Sequence, residues 1–561
     1  MDRRPAHHPT LSSAPCAEAV LCPRWRLRAV LATAALLAAN ATHPATAQTP
    51  SDDAREGPYE RLAIVNAMVI PGHGGPAYGP ADILVEGDVI RQIISYNGVL
   101  GRPADIGDHG ADRVIDATGM YVMPGLIDLH THIRTEPLPL QYIYNLKLAH
   151  GVTTMVNGAG RGWEAALEQQ RLSDEGLITA PRMYPIGEWG PPRARDPGHA
   201  PPADEIAPWH DPARVPELID QVVGPGRAHV VRIGSLAWND SLFAAVARAV
   251  DEAGGITTVH LPPSDLSVVD AVKAAELGVT MIEHHYGYAE AALGAEALPA
   301  TQPGYNYNDE AHRFRQAGAV WQEADAEILT GEVADRLVAS GVSLIPTMSA
   351  YEVNRDVNRS MGLPWHDRYT HRVLIDWYMP TAEYHAAHHW DWTTKDEQRW
   401  SDTFRKWGDL VRAFHDRGGH LSYAVDDPYL WNTSGLGNVR ELELMHQAGL
   451  EPLEVIRAAT FNSARTLNRP DLGYIGTGAT ADLIVVDGNP LENLRYLYPF
   501  GALDGDGYGV LVRRGGVRWT IKDGIVFDNR ILIDEVLRMV AESKEGWADP
   551  RAALFEPLIG R

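Results

Sequence analysis

Two histidines one residue apart close the apolar, strand-like run "VMPGLIDLHTHI" at residues 122–133. Side chains alternate across a strand with period 2, so His130 and His132 share a face while Thr131 points away from it. Two imidazoles on one face can hold one partner between them, although two unrelated surface histidines would also satisfy this short pattern. Three further donors sit at the ends of β-rich runs: His260 in "ITTVHL", His284 in "VTMIEHH" and Asp426 in "LSYAVDD". Donors delivered repeatedly to strand ends are hard to assemble by chance. Imidazole with carboxylate suits Zn²⁺ or a similar divalent transition metal, and a donor set short of closure leaves a place for water.

Such a set needs a scaffold that aims several strand ends at one spot. The middle of the chain alternates β runs with helical ones eight times, from "PGLIDLHTH" with "LPLQYIYNLKLAHG" to "LSYAVDD" with "VRELELMHQAG". That order predicts an α/β fold, a parallel (β/α)8 TIM barrel whose strands present their C-terminal ends at one mouth. Three long stretches interrupt it, residues 186–211, 288–322 and 353–395. They read as irregular insertions that shape a substrate pocket. Before residue 122 and after residue 468 the pattern changes to short β runs such as "RLAIVNAMVI" and "ADLIVVDG", punctuated by Gly, Pro and Asp. No helical period runs through them. Residues 48–121 and 469–561 are therefore expected to build one small composite β-sandwich beside a barrel of residues 122–468.

Composition narrows the partners. A formal charge of −24 over 561 residues offers no net positive field for nucleic acid or an anionic membrane, which leaves a small-molecule substrate, with a homo-oligomer possible. At the N-terminus Arg24, Arg26 and Arg28 precede the apolar run "AVLATAALLAA" and then "ATA" ending at Ala47. This order reads as a secretory signal peptide over residues 1–47, too short for a membrane span. Both cysteines, Cys16 and Cys22, lie upstream of the apolar run, so no disulfide framework and no lipid anchor is indicated. The expected destination is the periplasm or the medium.

Several stretches together resemble the amidohydrolase superfamily, in its imidazolonepropionase-like and prolidase-like branch. They are "VMPGLIDLHTH", "GVTTMVNGAG", "MIEHHYG", "LIPTMSAY", "VDDP" and "GLEPLEVIRAATFNSARTL" followed by "GYIGTGATADLIVVDGNPLENL". The likeness runs from about Arg61 to about Asp528. It implies a metal-dependent hydrolase with a barrel and a composite β-sandwich. By motif position it places the family's metal ligands on His130, His132, His260, His284 and Asp426. Asp426 stands where the family has the aspartate of its eighth strand, and Asp427 fills a position usually held by alanine. His285, an extra histidine, reads as a polar wall residue or a substrate contact.

The main departure is on the fourth β run, "HVVRIGS". Members with two metals commonly carry a carboxylated lysine there, and this chain has Arg232. A guanidinium has no acceptor lone pair and repels a cation, so one ion is favoured over two, held by His130, His132 and Asp426 with His260 as an optional further ligand. A shifted alignment or another bridging group would leave two ions possible. Arg232 is free by type to clamp a substrate carboxylate, or to pair with Asp426 or Asp427 in an inactive site. The resemblance implies hydrolysis of an amide-type C–N bond, linear or cyclic, with dipeptides and N-acyl amino acids as plausible substrates. Zinc lowers the pKa of its water to about 7. Asp426 would shuttle the proton, and His284 would orient substrate, stabilise the oxyanion or ligate a second ion. A lactonase or esterase, and a metal-retaining binding protein without activity, are the alternatives.

Overall fold

In the computed structural model, which describes residues 52–133, 137–158, 162–191, 202–224, 226–234, 239–261, 269–294, 310–381, 388–505 and 509–555, the middle β runs become eight short strands. These are β1 (Leu126–His132), β2 (Val152–Gly158), β3 (Arg182–Glu188) and β4 (Val230–Arg232). They continue as β5 (Ile256–Val259), β6 (Met281–Glu283), β7 (Ser343–Ile345) and β8 (His420–Leu421). Neighbours pair in chain order, every pair parallel.

Regular pairing of β8 stops after two residues, sooner than the run "LSYAVDD" suggests, yet residues 422–427 still bond to both sides. Ser422 N donates to Leu344 O at 2.9 Å beside β7. On the other flank Leu129 N donates to Tyr423 O at 3.0 Å, Asp426 N to His130 O at 2.7 Å, and His132 N to Asp427 O at 2.7 Å. The parallel sheet therefore curls, and the segment after β8 bonds to β1. Inward-facing residues from around the sheet, including Leu129, Val156, Ile186, Val230, Met281 and Ala424, form one shared apolar cluster. Each large side chain fully buried there contributes roughly 1.5–3 kcal/mol, which holds the strand ends above it in register.

Helices cover the outer face of this sheet. Three of them bear on the site: α1 (Leu140–Ala149), α2 (Glu310–Glu323) and α3 (Leu436–Gln447). α2 lies inside a stretch expected to be irregular, and the structure corrects that expectation. Phe314, Ala317, Val320 and Trp321 are buried at helical spacing along it. The stretch 353–395 is likewise partly helical, with turns at Val357–Met361, Trp365–Arg368 and Arg372–Tyr378. Only part of the 186–211 stretch is described, and it holds short helical turns at Ala203–Ile206 and Ala207–His210.

Strands from both ends of the chain pair into one mixed sheet of nine strands. Its junction is Met120–Pro124 lying antiparallel to Leu483–Asp487. Alternate residues split between two cores. Leu483 and Val485 join Ile64, Ile83 and Val122 in a cluster of the sheet's own, while Ile484 and Val486 join the large core around the barrel helices. After Asp528 the chain turns into a helix, Asn529–Ser543, tied to α1 by Asn529 Nδ2 donating to Ala149 O at 3.2 Å and Asn145 Nδ2 to Glu535 Oε2 at 2.8 Å. No described helix is long and apolar enough to cross a membrane. The expected signal segment, residues 1–47, lies outside the described residues.

Candidate active site

His130 and His132 leave the C-terminal end of β1 on the same face, and both reach one oxygen. His130 Nε2 is 3.3 Å and His132 Nε2 3.1 Å from Asp426 Oδ1. Thr131, pointing the other way, donates its hydroxyl to the backbone carbonyl of Asp427 at 2.9 Å. His284 follows β6, and its ring centre lies 5.2 Å from that of His130. His130, His284 and Asp426 offer donor atoms all within 4.8 Å of one another, and every one of the three is buried.

Three of these strand-end positions have left-handed backbone: His284 at φ 67°, Thr347 at φ 55° and Asp426 at φ 55°. Non-glycine residues there cost on the order of 1–3 kcal/mol each, and they persist only where the surroundings over-determine them. Beyond Thr347 the turn is held by Glu441 on α3, whose carboxylate accepts from Met348 N at 2.8 Å and Ser349 N at 2.6 Å. Thr347 in turn sets the His284 tautomer. Its hydroxyl donates to Pro346 O at 2.6 Å, so at 2.7 Å it accepts the proton of His284 Nδ1. The lone pair of His284 is then on Nε2.

Behind the site lies a buried ion cluster. Lys147 of α1 donates to Asp128 Oδ2 at 2.7 Å, Asp427 Oδ1 at 2.6 Å and Asn438 Oδ1 at 3.0 Å. Asp128 also accepts from His130 N at 3.2 Å. One ammonium thus ties the strand carrying both histidines to the segment carrying Asp426.

Charge at the site is divided unevenly. Burial opposes ionisation of Asp426, but hydrogen bonds from His130 and His132 hold its carboxyl well below the usual carboxylate range. Burial also opposes the His130 cation, yet Glu283 and Asp426 on either side push its pKa up to about 10. Burial brings His284 down to about 4. Glu283 is the carboxylate that sequence reasoning missed. It is fully buried, stands 3.3 Å from His130 Nδ1 and 3.6 Å from His284 Nε2, and accepts from the Thr258 hydroxyl. Its signal was a lone acid inside the apolar run "MIEHH", where an ionisable group is seldom buried without a partner.

This donor set fits a divalent cation. Oε2 of Glu283 is buried without a hydrogen-bond partner among the described residues, as an atom held ready for a ligand would be. Four imidazoles and two carboxylates at one rim match the chemistry of zinc and its neighbours.

The amidohydrolase family model matches residues 405–507, the segment that includes Asp426. Adenine deaminase 2 of Rhizobium etli is 23% identical over 456 residues, covering 77% of this chain and 58% of its own length. The chain is thus similar to the amidohydrolase family in this segment, and it spans less than two thirds of the length of the adenine deaminases it matches. Among solved structures, a bottromycin amidohydrolase superposes with a TM-score of 0.60 at 17% identity, over 90% of this chain and 96% of that one. A Xaa-Pro dipeptidase with methionine bound in its active site gives 0.53 at 18% identity, over 83% and 100%. At these identities the likeness is one of fold.

Around this rim the remaining expected residues are less closely grouped. His260, just past β5, is beside His284, with ring centres 4.6 Å apart, and belongs with Glu283 and His284 in a second donor group. His284 rather than His260 is grouped with His130 and Asp426. Arg232 ends β4, where its guanidinium is 3.6 Å from Glu188 Oε1 and its Nε is buried without a hydrogen-bond partner among the described residues. Its recorded ion pair is with Glu188, while Asp427, one of the two partners weighed for it, binds Lys147. His285 packs among Tyr286, Tyr351, Trp400 and Trp407 as part of the wall.

Proposed function

We propose that the protein is an exported, metal-dependent hydrolase that cleaves an amide-type C–N bond. The observation that carries this reading is the convergence of His130 and His132 on a single oxygen of Asp426, with His284 Nε2 left as a lone-pair donor by Thr347. A sheet in which the segment after β8 bonds to β1 supports the finer fold, a closed (β/α)8 barrel, with the two-faced sheet from both ends as its β-sandwich. The names of the relatives, an adenine deaminase, a dipeptidase and an amidohydrolase, support chemistry at carbon–nitrogen bonds.

His130, His132, His284 and Asp426 would hold the ion. When bound, it supplies a Lewis acid for the substrate carbonyl and makes water a nucleophile at neutral pH. Asp426 uses its two oxygens differently. Oδ1 faces the histidine pair, and Oδ2 takes the proton of the attacking water. A C–O bond forms, the C–N bond breaks, and that proton passes to the departing nitrogen. With its proton on Nδ1, His284 serves as a ligand rather than as an oxyanion donor. Arg232, 24% exposed at the mouth, offers a guanidinium to a substrate carboxylate, as in a dipeptide or N-acyl amino acid. Export rests on the arginine cluster, apolar run and small residues that precede Gln48.

A hydrolysis screen over dipeptides, N-acyl amino acids, cyclic amides and lactones, run with and without added zinc, tests the reading. Zinc-dependent turnover of amides is expected. Turnover confined to lactones would replace the amide reading with the ester one, and no turnover with bound zinc would leave a binding protein.

A further inference from the structure

The second donor group, His260, Glu283 and His284, has a neighbour that sequence reasoning did not reach. Arg313 projects from α2 and places Nη2 2.9 Å from His260 Nε2. Its Nε donates to the Tyr286 hydroxyl at 3.3 Å, and the guanidinium is 5.3 Å and 5.4 Å from the ring centres of Tyr286 and Phe314. α2 is held firmly in place. Trp400 Nε1 donates to Phe314 O at 2.9 Å, and Arg315 grips Asp391 with contacts of 2.6 and 2.9 Å.

A guanidinium stays protonated and only donates, so His260 Nε2 must accept. A neutral imidazole has one lone pair. With that pair given to Arg313, the ring proton is on Nδ1, and neither nitrogen can donate electrons to an ion. This holds whichever nitrogen faces Glu283 and His284. Arg232 adds a second positive charge that acts on the same three residues.

We propose that Arg313 caps His260 and thereby keeps the His260–Glu283–His284 group from taking a second divalent ion, leaving a fixed guanidinium beside those donors instead. The consequence for turnover rests on the metal-dependent reading above. The test separates the two.

Zinc per folded chain is measured by equilibrium dialysis and elemental analysis, with circular dichroism and melting temperature recorded for each protein. Wild type should hold one ion. On a His130→Ala/His132→Ala background, the count should be zero with Arg313 present, one after Arg313→Gln, and zero again when His260→Ala is added. Arg313→Met serves if the glutamine variant does not fold. Two ions in the wild type, or no gain in either folded Arg313 variant on that background, would overturn the proposal. A wild type without zinc, with a gain still seen on the double-alanine background, would sink the first site and leave this inference standing.

Discussion

The two oxygens of Asp426 face different neighbours, Oδ1 the pair His130 and His132 and Oδ2 the ring of His284 at 3.9 Å. Replacing the carboxylate by an amide keeps an oxygen donor but removes the proton acceptor. Asp426→Asn should therefore lose about 10²–10⁴-fold in kcat while retaining zinc, as read from kinetics and elemental analysis on one preparation. Full activity would exclude the proton shuttle. Thr347 acts through His284. Thr347→Val removes the acceptor of the Nδ1 proton, and a lost partner of this kind lowers metal affinity about 10–100-fold. Zinc titration should show that loss, and Thr347→Ser, which restores the hydroxyl, should recover it. Equal affinity in the valine variant would mean that the tautomer is set elsewhere.

At the scale of elements, the site depends on β1 and the segment after β8 staying in register, and Lys147 is the buried link between them. Removing one partner of a buried ion cluster leaves uncompensated charge and costs about 3–5 kcal/mol. Lys147→Met should lose about that much in urea unfolding, whereas a loss under 1 kcal/mol would show that Lys147 does not carry the link between β1 and the segment after β8. The same elements show what the sequence made legible. His130, His132, His284 and Asp426 were readable because period-2 runs ending in a donor recur, and the pleat then dictates the shared face. Glu283 was hidden by its two histidine neighbours, since an acid beside "HH" reads as strand punctuation. Thr347 could not be seen, because its role comes from a left-handed turn that Glu441 captures from 94 residues away in the chain. Arg313 was missed when its stretch was read as irregular. Gly318 and the polar residues of α2 dilute the apolar period that buries Phe314 and Trp321.

Across the whole molecule, the 353–395 insertion is locked to the barrel by Glu352. It accepts from Arg440 on α3 at 2.6 and 2.7 Å and from Arg355 at 2.7 Å. Burial opposes its charge, but these guanidiniums bring its pKa from 4.5 down to about 2. A depressed carboxylate contributes stability that is fully present above its unfolded pKa and is lost as pH falls through the folded one. About 3 kcal/mol should therefore disappear between pH 5 and pH 2. Urea unfolding across that range should show the loss in wild type, and Glu352→Gln should lack it. Parallel curves for the two proteins would remove Glu352 from the acid response. Export also belongs to this scale: N-terminal sequencing of protein recovered outside the cytoplasm should begin near Gln48, and an active cytoplasmic form retaining residues 1–47 would contradict it.

The proposed chemistry requires above all that the His130, His132 and Asp426 rim hold an ion on which hydrolysis depends. The most direct measurement strips the purified protein with a chelator and titrates zinc back while following hydrolysis of an amide substrate found in the screen. Activity should vanish on stripping and return in full at one equivalent of zinc, and the His130→Ala/His132→Ala variant should neither bind that equivalent nor regain turnover. Undiminished hydrolysis by the zinc-free protein, or recovery in the double variant, would contradict the claim.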